Sequence, residues 1–346
     1  MRFIADREKR SMSNMIDCFV ANYFTKNELP HDVVKRNSNN AHNRIGTRNT
    51  SPKTRTQRRV PMKRNPTEQI KKRPAKAVLA DSSKAKIASV LTADHVIWRG
   101  DSEAFLKALL LEPIFDLVVT SPPYNIGKEY EKKEGLDKYL EWQKRIIDEI
   151  IPRLKPNGSL CWQVGNYVDN GEIIPLDIEF APIFKAHGLK LRNRIVWHFG
   201  HGLHTKKRFS GRYEVVMWYT KGADYVFNLD DVRVPSKYPG KTHFKGPNAG
   251  QISGNPLGKN PDDVWNIPNV KSNHVEKTSH PCQFPVGLIE RLILSMTNKG
   301  ALVFDPFAGV ASSGVAAVLH GRRFIGCEIM PEYARAGLSR LQEAYV

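Results

Sequence analysis

The sequence predicts an α/β fold with a mostly parallel sheet. Three observations carry that reading. Short runs rich in β-branched residues alternate with segments of helical period along the C-terminal three quarters of the chain. Turn residues punctuate nearly every junction between them. The residues best suited to ligand chemistry fall where strand-like runs end, the position at which open parallel sheets gather ligands. Together these make the sheet Rossmann-like, with helices on both faces.

The elements follow in order. "HVIWRGD" (95–101) reads as a strand ending at Asp101, and "SEAFLKALLLE" as a helix. "FDLVVT" (115–120) is a buried strand by its continuous apolar run. "LDKYLEWQKRIIDEIIPRL" (136–154) has helical spacing, and "KPNG" is expected to be a turn. "SLCWQVG", "LKLRNRIVWHF" and "YEVVMWYTKG" supply further strands. Residues 222–275 are rich in Gly, Pro and Asn, lack periodicity and belong on a surface. A helix in "PVGLIERLILSMT", a strand in "ALVFDP", a helix in "SSGVAAVLHG", a strand in "RRFIGCEI" and a last helix in "PEYARAGLSRLQEAY" complete the chain.

The formal charge of +18 is unevenly placed. Residues 1–86 hold 21 Lys and Arg against 7 Asp and Glu, a net charge of +14. Within them, 36–76 is polar and punctuated by proline, so 1–86 reads as a disordered basic extension, with order beginning near Ile87. Two readings of it are equally open: an arm attracted to phosphates, and a solvated tail or over-extended reading frame. No apolar run is long enough to span a bilayer, and the N-terminus lacks a signal-peptide pattern. Cys18, Cys161, Cys282 and Cys327 lie far apart, so neither a metal site nor a disulfide framework is expected and a reducing, cytoplasmic setting is the default.

"VVTSPPYNIG" (118–127) raises a specific question. Adjacent prolines supply no N–H donors and fix their φ angles, so Pro122 and Pro123 form a stiff bend at a strand end. The bend leaves carbonyl oxygens unpaired and sets the angle of Tyr124. Taken alone, the tetrapeptide is better explained as a rigid turn.

A second stretch adds to it. "VFDPFAGVASSG" (303–314) runs from strand through a Gly-bearing turn into a helix, and Gly309 allows close approach of backbone to a ligand. Glu328 ends the next strand, 23 residues after Asp305, where an acid can accept both hydroxyls of a ribose. No phosphate-binding GxGxxG or GxxxxGK[ST] pattern is present in this stretch, and Asp305 would repel phosphate but attract an ammonium group. S-adenosylmethionine carries both a ribose and an α-amino group.

"TSPPYN" and "DPFAGVASSG" together resemble the paired motifs of the amino-methylating DNA methyltransferases, in the order of the β group. The resemblance spans about 92–345 and extends to "RGD" (99–101), "HPCQFP" (280–285), "RNRIVWHF", "RYEVVMWYTKG" and "DDVWNIP". It implies methyl transfer from S-adenosylmethionine to N4 of cytosine or N6 of adenine in double-stranded DNA, for restriction–modification or epigenetic marking. Residues 87–346 then form the methyltransferase domain, with 222–275 in the target-recognition position. Asp101 matches the segment near the cofactor adenine and His280 the segment near its methionine part; Asp305, Pro306, Phe307, Gly309, Ser312 and Glu328 complete the implied cofactor set. The resemblance requires no metal and no membrane and is compatible with a homodimer and, in a bacterium, with the nucleoid. One departure stands out: the family turn usually reads FxGxG, and here Ala311 replaces its second glycine.

The chemistry explains the bend. An aromatic amino group is a poor nucleophile, so a site gains rate by accepting its N–H bonds and holding the nitrogen in line with the methyl donor. The Pro122 carbonyl and the Ser121 side chain are the expected acceptors, with Pro123 stiffening the bend and Tyr124 stacking on a base swung out of the duplex. Serine at 121 is associated in the family more with N4-cytosine and aspartate more with N6-adenine, which favours cytosine slightly. "GHGLHTKKRFSGR" (200–212) is expected to contact phosphate through Lys206, Lys207, Arg208 and Arg212, with a plain solvated loop almost as well supported. His198, His201 and His204 lack a thiol or carboxylate nearby, and Trp197 and Trp265 are expected in the core. Two rivals of other classes stand beside this reading. One is a related enzyme acting on RNA or protein amides, usually marked by NPPY. The other is a DNA-binding protein with a decayed cofactor site, hinted at by Ala311.

Overall fold

Continuous apolar runs bounded by Gly, Pro and charge favour strands buried on both faces, and six of them line up in parallel here. The computed structural model describes residues 76–345 apart from 84, 126, 128–133, 203 and 272. The strands are β1 (Ala77–Asp81), β2 (His95–Arg99), β3 (Phe115–Thr120), β4 (Leu154–Val164), β5 (Asn166–Asp169), β6 (Glu172–Pro175), β7 (Lys190–His198), β8 (Tyr213–Thr220), β9 (Val264–Asn266), β10 (Leu302–Asp305) and β11 (Arg323–Glu328). The main sheet has the order β1-β2-β11-β10-β3-β4-β8-β7-β9. It is parallel from β1 to β4, while β8 is antiparallel to both β4 and β7.

Helices α1 (Ile87–Thr92), α2 (Ser102–Ala108), α3 (Leu136–Arg153), α4 (Leu176–Ala186), α5 (Val286–Met296), α6 (Ser312–Leu319) and α7 (Pro331–Glu343) supply the covering layers. Helices α2, α3 and α4 pack pairwise in one layer, and α5, α6 and α7 in the other. The periodicity of α3 shows why: Tyr139, Ile146, Ile147, Ile150 and Ile151 recur on one face and are buried. In the core, Phe115 of β3 stacks on Phe304 of β10 with ring centroids 4.4 Å apart.

Strands β3 and β10 are neighbours, yet β3 continues through α3 to β4 on one side and β10 through α6 to β11 on the other. Their carboxyl ends therefore border the crevice at which such a sheet reverses its direction of winding. "SPPY" leaves one end and "PFAG" the other.

Four differences from the sequence reading have physical reasons. The boundary near Ile87 moves back, because β1 pairs with β2 from Ala77 to Asp81 and Asp81 forms an ion pair with Arg99. The rest of the basic extension, residues 1–75, lies outside the described residues. "KPNG" is not a turn but a bulge in β4: Phe115 pairs with Leu154 and Leu117 with Ser159. Helix α4, with Pro182 inside it, was not expected. Nor was the β5–β6 hairpin, although its Asn170–Gly171 turn, with both φ angles positive, is the strongest short-range hairpin signal.

The placement of β1 changes the informative truncation. A chain beginning at Lys76 should melt within a few degrees of the full-length protein. One beginning at Ile87 exposes the edge of β2 and uncovers part of α7, which packs on both strands; it should melt clearly lower or be insoluble. Residues 1–75, if they meet phosphates, should steepen the log–log salt dependence of DNA affinity by about 0.9 per contact.

Candidate active site

The crevice between the ends of β3 and β10 is a cleft of about 490 Å³. It is lined by Ser121, Pro122, Pro123 and Tyr124 on one side and by Asp101, His280, Pro306, Phe307, Gly309, Ser312 and Glu328 on the other. The two sets expected from sequence are therefore brought together, with one exception. Asp305 lies behind the cleft, fully buried.

The Asp305 carboxylate accepts from the Thr120 hydroxyl (2.6 Å), the Phe307 amide (3.0 Å) and the Ser313 hydroxyl. Burial pushes its pKa up to about 6, against the lowering effect of those bonds. The expected contact with an ammonium group is thus corrected: Asp305 holds the turn and does not face the cleft.

Beyond Asp305 the chain makes a tight turn. The Ala308 amide donates to the Cys327 carbonyl (2.8 Å) and the Gly309 amide to Glu328 Oε2 (2.9 Å). Gly309 has φ 53°, and a Cβ there would lie 3.2 Å from His280 Nε2, so only glycine leaves this part of the cleft open. Ala311 adopts the left-handed conformation, φ 58° and ψ 42°, at the start of α6. The methyl group thus accepts the backbone angles that the family motif assigns to glycine, and it lies buried against Gly337.

Glu328 also accepts from the Met330 amide (2.7 Å), and burial raises its pKa to about 7. Asp101 caps α2 by accepting from the Ala104 amide (2.8 Å). His280 sits edge-on to Tyr333 at 4.6 Å and accepts from the Cys282 amide at Nδ1 (3.2 Å). Ser312 lines the cleft but also receives Arg340 (3.1 Å).

On the opposite side, the Tyr139 hydroxyl donates to the Pro123 carbonyl (2.7 Å). Among the described residues, no hydrogen bond reaches the Pro122 carbonyl. Ser121 Oγ lies 3.0 Å from the Tyr124 hydroxyl, which donates to Glu214 Oε2 at 3.2 Å; Gln163 donates to that same oxygen. With the Tyr124 proton given to Glu214, Ser121 donates to Tyr124, and that bond leaves the lone pairs of Ser121 unused. Burial raises the Glu214 pKa, and the bonds from Gln163 and Tyr124 oppose that rise.

Glu214 and Gln163 were missed in the sequence. Glu214 is separated from Tyr124 by 90 positions, and a lone acid in a strand gives no local signal. Trp197, expected in the core, is buried but also lines the cleft beside Phe199, while Trp265 is buried under the Arg291 guanidinium. Lys206, Lys207 and Arg208 are exposed on the loop between β7 and β8; Arg212 is braced within it, donating to the Gly211 carbonyl (2.8 Å). Among the described residues, no group of three His, Cys, Asp or Glu side chains is placed to hold a metal.

A family model for DNA methylases of the N6/N4 type matches residues 115–339. The Type II methyltransferase M.BglII of Bacillus subtilis is 52% identical over 238 residues, 68% of this chain and 66%, just under two thirds, of that relative. The DNA adenine methyltransferase YhdJ of Escherichia coli strain K12 is 34% identical over 255 residues, 72% of this chain and 83% of that one. In fold, the chain is similar to the PvuII DNA methyltransferase (cytosine-N4-specific), with a TM-score of 0.57 and 21% identity over 73% of this chain and 92% of that one.

Ala311 offers a direct test of the turn. Ala311→Gly removes a left-handed alanine, worth about 1–2 kcal/mol, and loses a buried methyl worth about 0.8 kcal/mol. Denaturant unfolding should therefore shift by no more than about 1 kcal/mol, with cofactor affinity equal or tighter. Ala311→Val places a β-branched residue at positive φ and should lose about 1–3 kcal/mol or more.

Proposed function

Because the chain belongs to the N6/N4 family of S-adenosylmethionine-dependent DNA amino-methyltransferases, we propose that its cleft methylates N4 of a cytosine swung out of a specific duplex site. Serine in place of aspartate at 121 favours cytosine, and the observation that carries amino-group transfer is the hydrogen-bond chain Ser121–Tyr124–Glu214 beside the Pro122 carbonyl, unengaged among the described residues. It presents two acceptors and no donor to an incoming amino group. Accepting both N–H bonds concentrates density on nitrogen and fixes its direction, which is where positioning contributes rate. Tyr124 gives the base a ring face to lie on, and Pro123, tied to Tyr139, keeps that face from drifting.

The other side of the cleft fits the cofactor. Gly309 and His280 shape a space that any side chain at 309 would fill, and Glu328 is a half-buried acid at the end of a strand, suited to a ribose. Asp101 and His280 would flank its two ends. Bound S-adenosylmethionine supplies an electrophilic methyl group on a positively charged sulfur. Glu328, Asp101 and Glu214 surround the cleft with acids that favour that charge.

Lys206, Lys207 and Arg208 are assigned to phosphates, and 222–275, mostly exposed, to reading the target sequence. The Type II name of the Bacillus subtilis relative supports a role in guarding sites against a partner endonuclease. Adenine is the second reading, favoured by the name of the Escherichia coli relative. Nucleoside analysis of duplex DNA after incubation with labelled cofactor should give N4-methylcytosine. N6-methyladenine as the product would replace the first reading with the second.

Two further outcomes follow. Tyr124→Phe keeps the ring but breaks the chain, leaving Ser121 free to reorient; transfer should slow at least about tenfold with cofactor affinity unchanged. For Glu328 the ionised form accepts the ribose hydroxyls, and its pKa in the free protein is about 7. Cofactor binding should therefore release a proton and weaken as pH falls from 8 to 6. Glu328→Gln should weaken it by about 1.5–3 kcal/mol and flatten that dependence in calorimetry.

A further inference from the structure

Residues 199–212 connect β7 to β8, and both feet of this loop stand in the cleft. Trp197 and Phe199 line it from one foot and Glu214 from the other. The Phe199 amide donates to the Arg212 carbonyl at 3.0 Å, which clamps the feet together. Higher up, the Thr205 hydroxyl donates to the Arg208 carbonyl, and the Thr205 amide to the Ser210 hydroxyl at 3.2 Å. These bonds close a tight turn that projects Lys206, Lys207, Arg208 and Phe209.

Phe209 is 99% exposed. Such exposure leaves the whole ring in water, forgoing roughly 1.5–3 kcal/mol that burial of a phenylalanine provides. No packing role is served, because the ring touches no core. Its immediate neighbours are three exposed cations and a backbone held in a short turn. Of the other exposed aromatics, Phe227, Tyr238 and Phe244 lie in 222–275 and Tyr345 near the C-terminus, while Tyr213, at the loop's foot in β8, is half as exposed as Phe209.

We propose that Phe209 is a wedge that enters the base stack of the duplex when the target base leaves it. Extruding a base unstacks both its neighbours and leaves a gap as wide as one ring. An aromatic side chain delivered at that level, beside cations that hold the adjacent phosphates, refills the gap and offsets the cost of extrusion. The ring is then buried only in the complex, which accounts for its exposure in the free protein. Phe209 is thus a positioning residue: it acts on the neighbours of the target and not on the reacting atoms. The inference rests on the reading that a base enters the cleft from a duplex.

The test compares wild type, Phe209→Ala and Phe209→Trp on the recognition duplex, identified by sequencing methylated plasmid DNA. Two versions of the duplex are used, with the target base correctly paired and mispaired. Mispairing removes most of the cost of extrusion. Phe209→Ala should slow single-turnover transfer at least about tenfold on the paired duplex and recover to within about threefold of wild type on the mispaired one. Phe209→Trp should stay near wild type on both. With 2-aminopurine at the target position opposite thymine, so that it is paired, the fluorescence rise on binding should be lost in Phe209→Ala and kept in Phe209→Trp. Equal loss on both duplexes, or no loss on either, overturns the wedge. Weaker S-adenosylmethionine binding in Phe209→Ala would assign the ring to the fold and also overturns it. A wild-type product on adenine would displace the cytosine reading alone, because each arm compares variants on the same DNA.

Discussion

The buried carboxylate of Asp305 is the contact on which the rest of the site depends. It joins three pieces of the site: Thr120 at the end of β3, the Phe307 amide in the turn, and Ser313 in α6. Thr120 and Asp305 are 185 positions apart, so this bond sets the proline bend and the cofactor turn at a fixed separation. Holding an acid there has an energetic cost. Its folded pKa of about 6 lies above the ordinary value of 3.8, so the stability it contributes is full below 3.8 and lost as pH rises through 6. At neutral pH three donors hold an ionised group that burial disfavours, and that cost fixes geometry where geometry governs rate.

From that anchor the two sides of the cleft are built differently. The cofactor side is mostly backbone: amides of Phe307, Ala308 and Gly309 are tied to Asp305, Cys327 and Glu328, so the turn has little freedom to relax. The target side is a chain of side chains running from Ser121 through Tyr124 to Glu214 and Gln163 on two other strands. Backbone fixes where the methyl donor would sit, and side chains fix which partner it would meet. Variation in the second can proceed without disturbing the first.

Much of this was legible in the sequence because the informative residues are local. "FDLVVT" is a strand by composition over its own six residues, and "SPPY" and "DPFAG" carry their turns within them. What stayed hidden is what depends on distant partners. Glu214 acquires meaning only through Tyr124, and Asp305 only through Thr120 and Ser313, which hold its carboxylate in the core behind the cleft. Strand β1 was masked by the basic composition around it, since "AVLAD" is too short to announce itself beside so many lysines and arginines. Helix α4 was hidden by Pro182, which sits on its exposed side while Leu176, Phe180 and Phe184 are buried. The hairpin at Asn170–Gly171 is the opposite case, because its Asn-Gly turn signal is local and plain.

The direction of the Ser121–Tyr124–Glu214 chain carries a last consequence. All its protons run inward toward the carboxylate, so on the proposed reading the Ser121 and Pro122 oxygens offer an incoming base lone pairs alone. A carbonyl edge placed there would meet oxygen against oxygen unless Ser121 gave up its bond to Tyr124 and turned its proton outward. Thymine would be disfavoured on those terms, and so would uracil, into which cytosine decays by losing its amino group. The arrangement that readies a base for modification would thus also inspect it, passing over positions where the original letter has already been damaged.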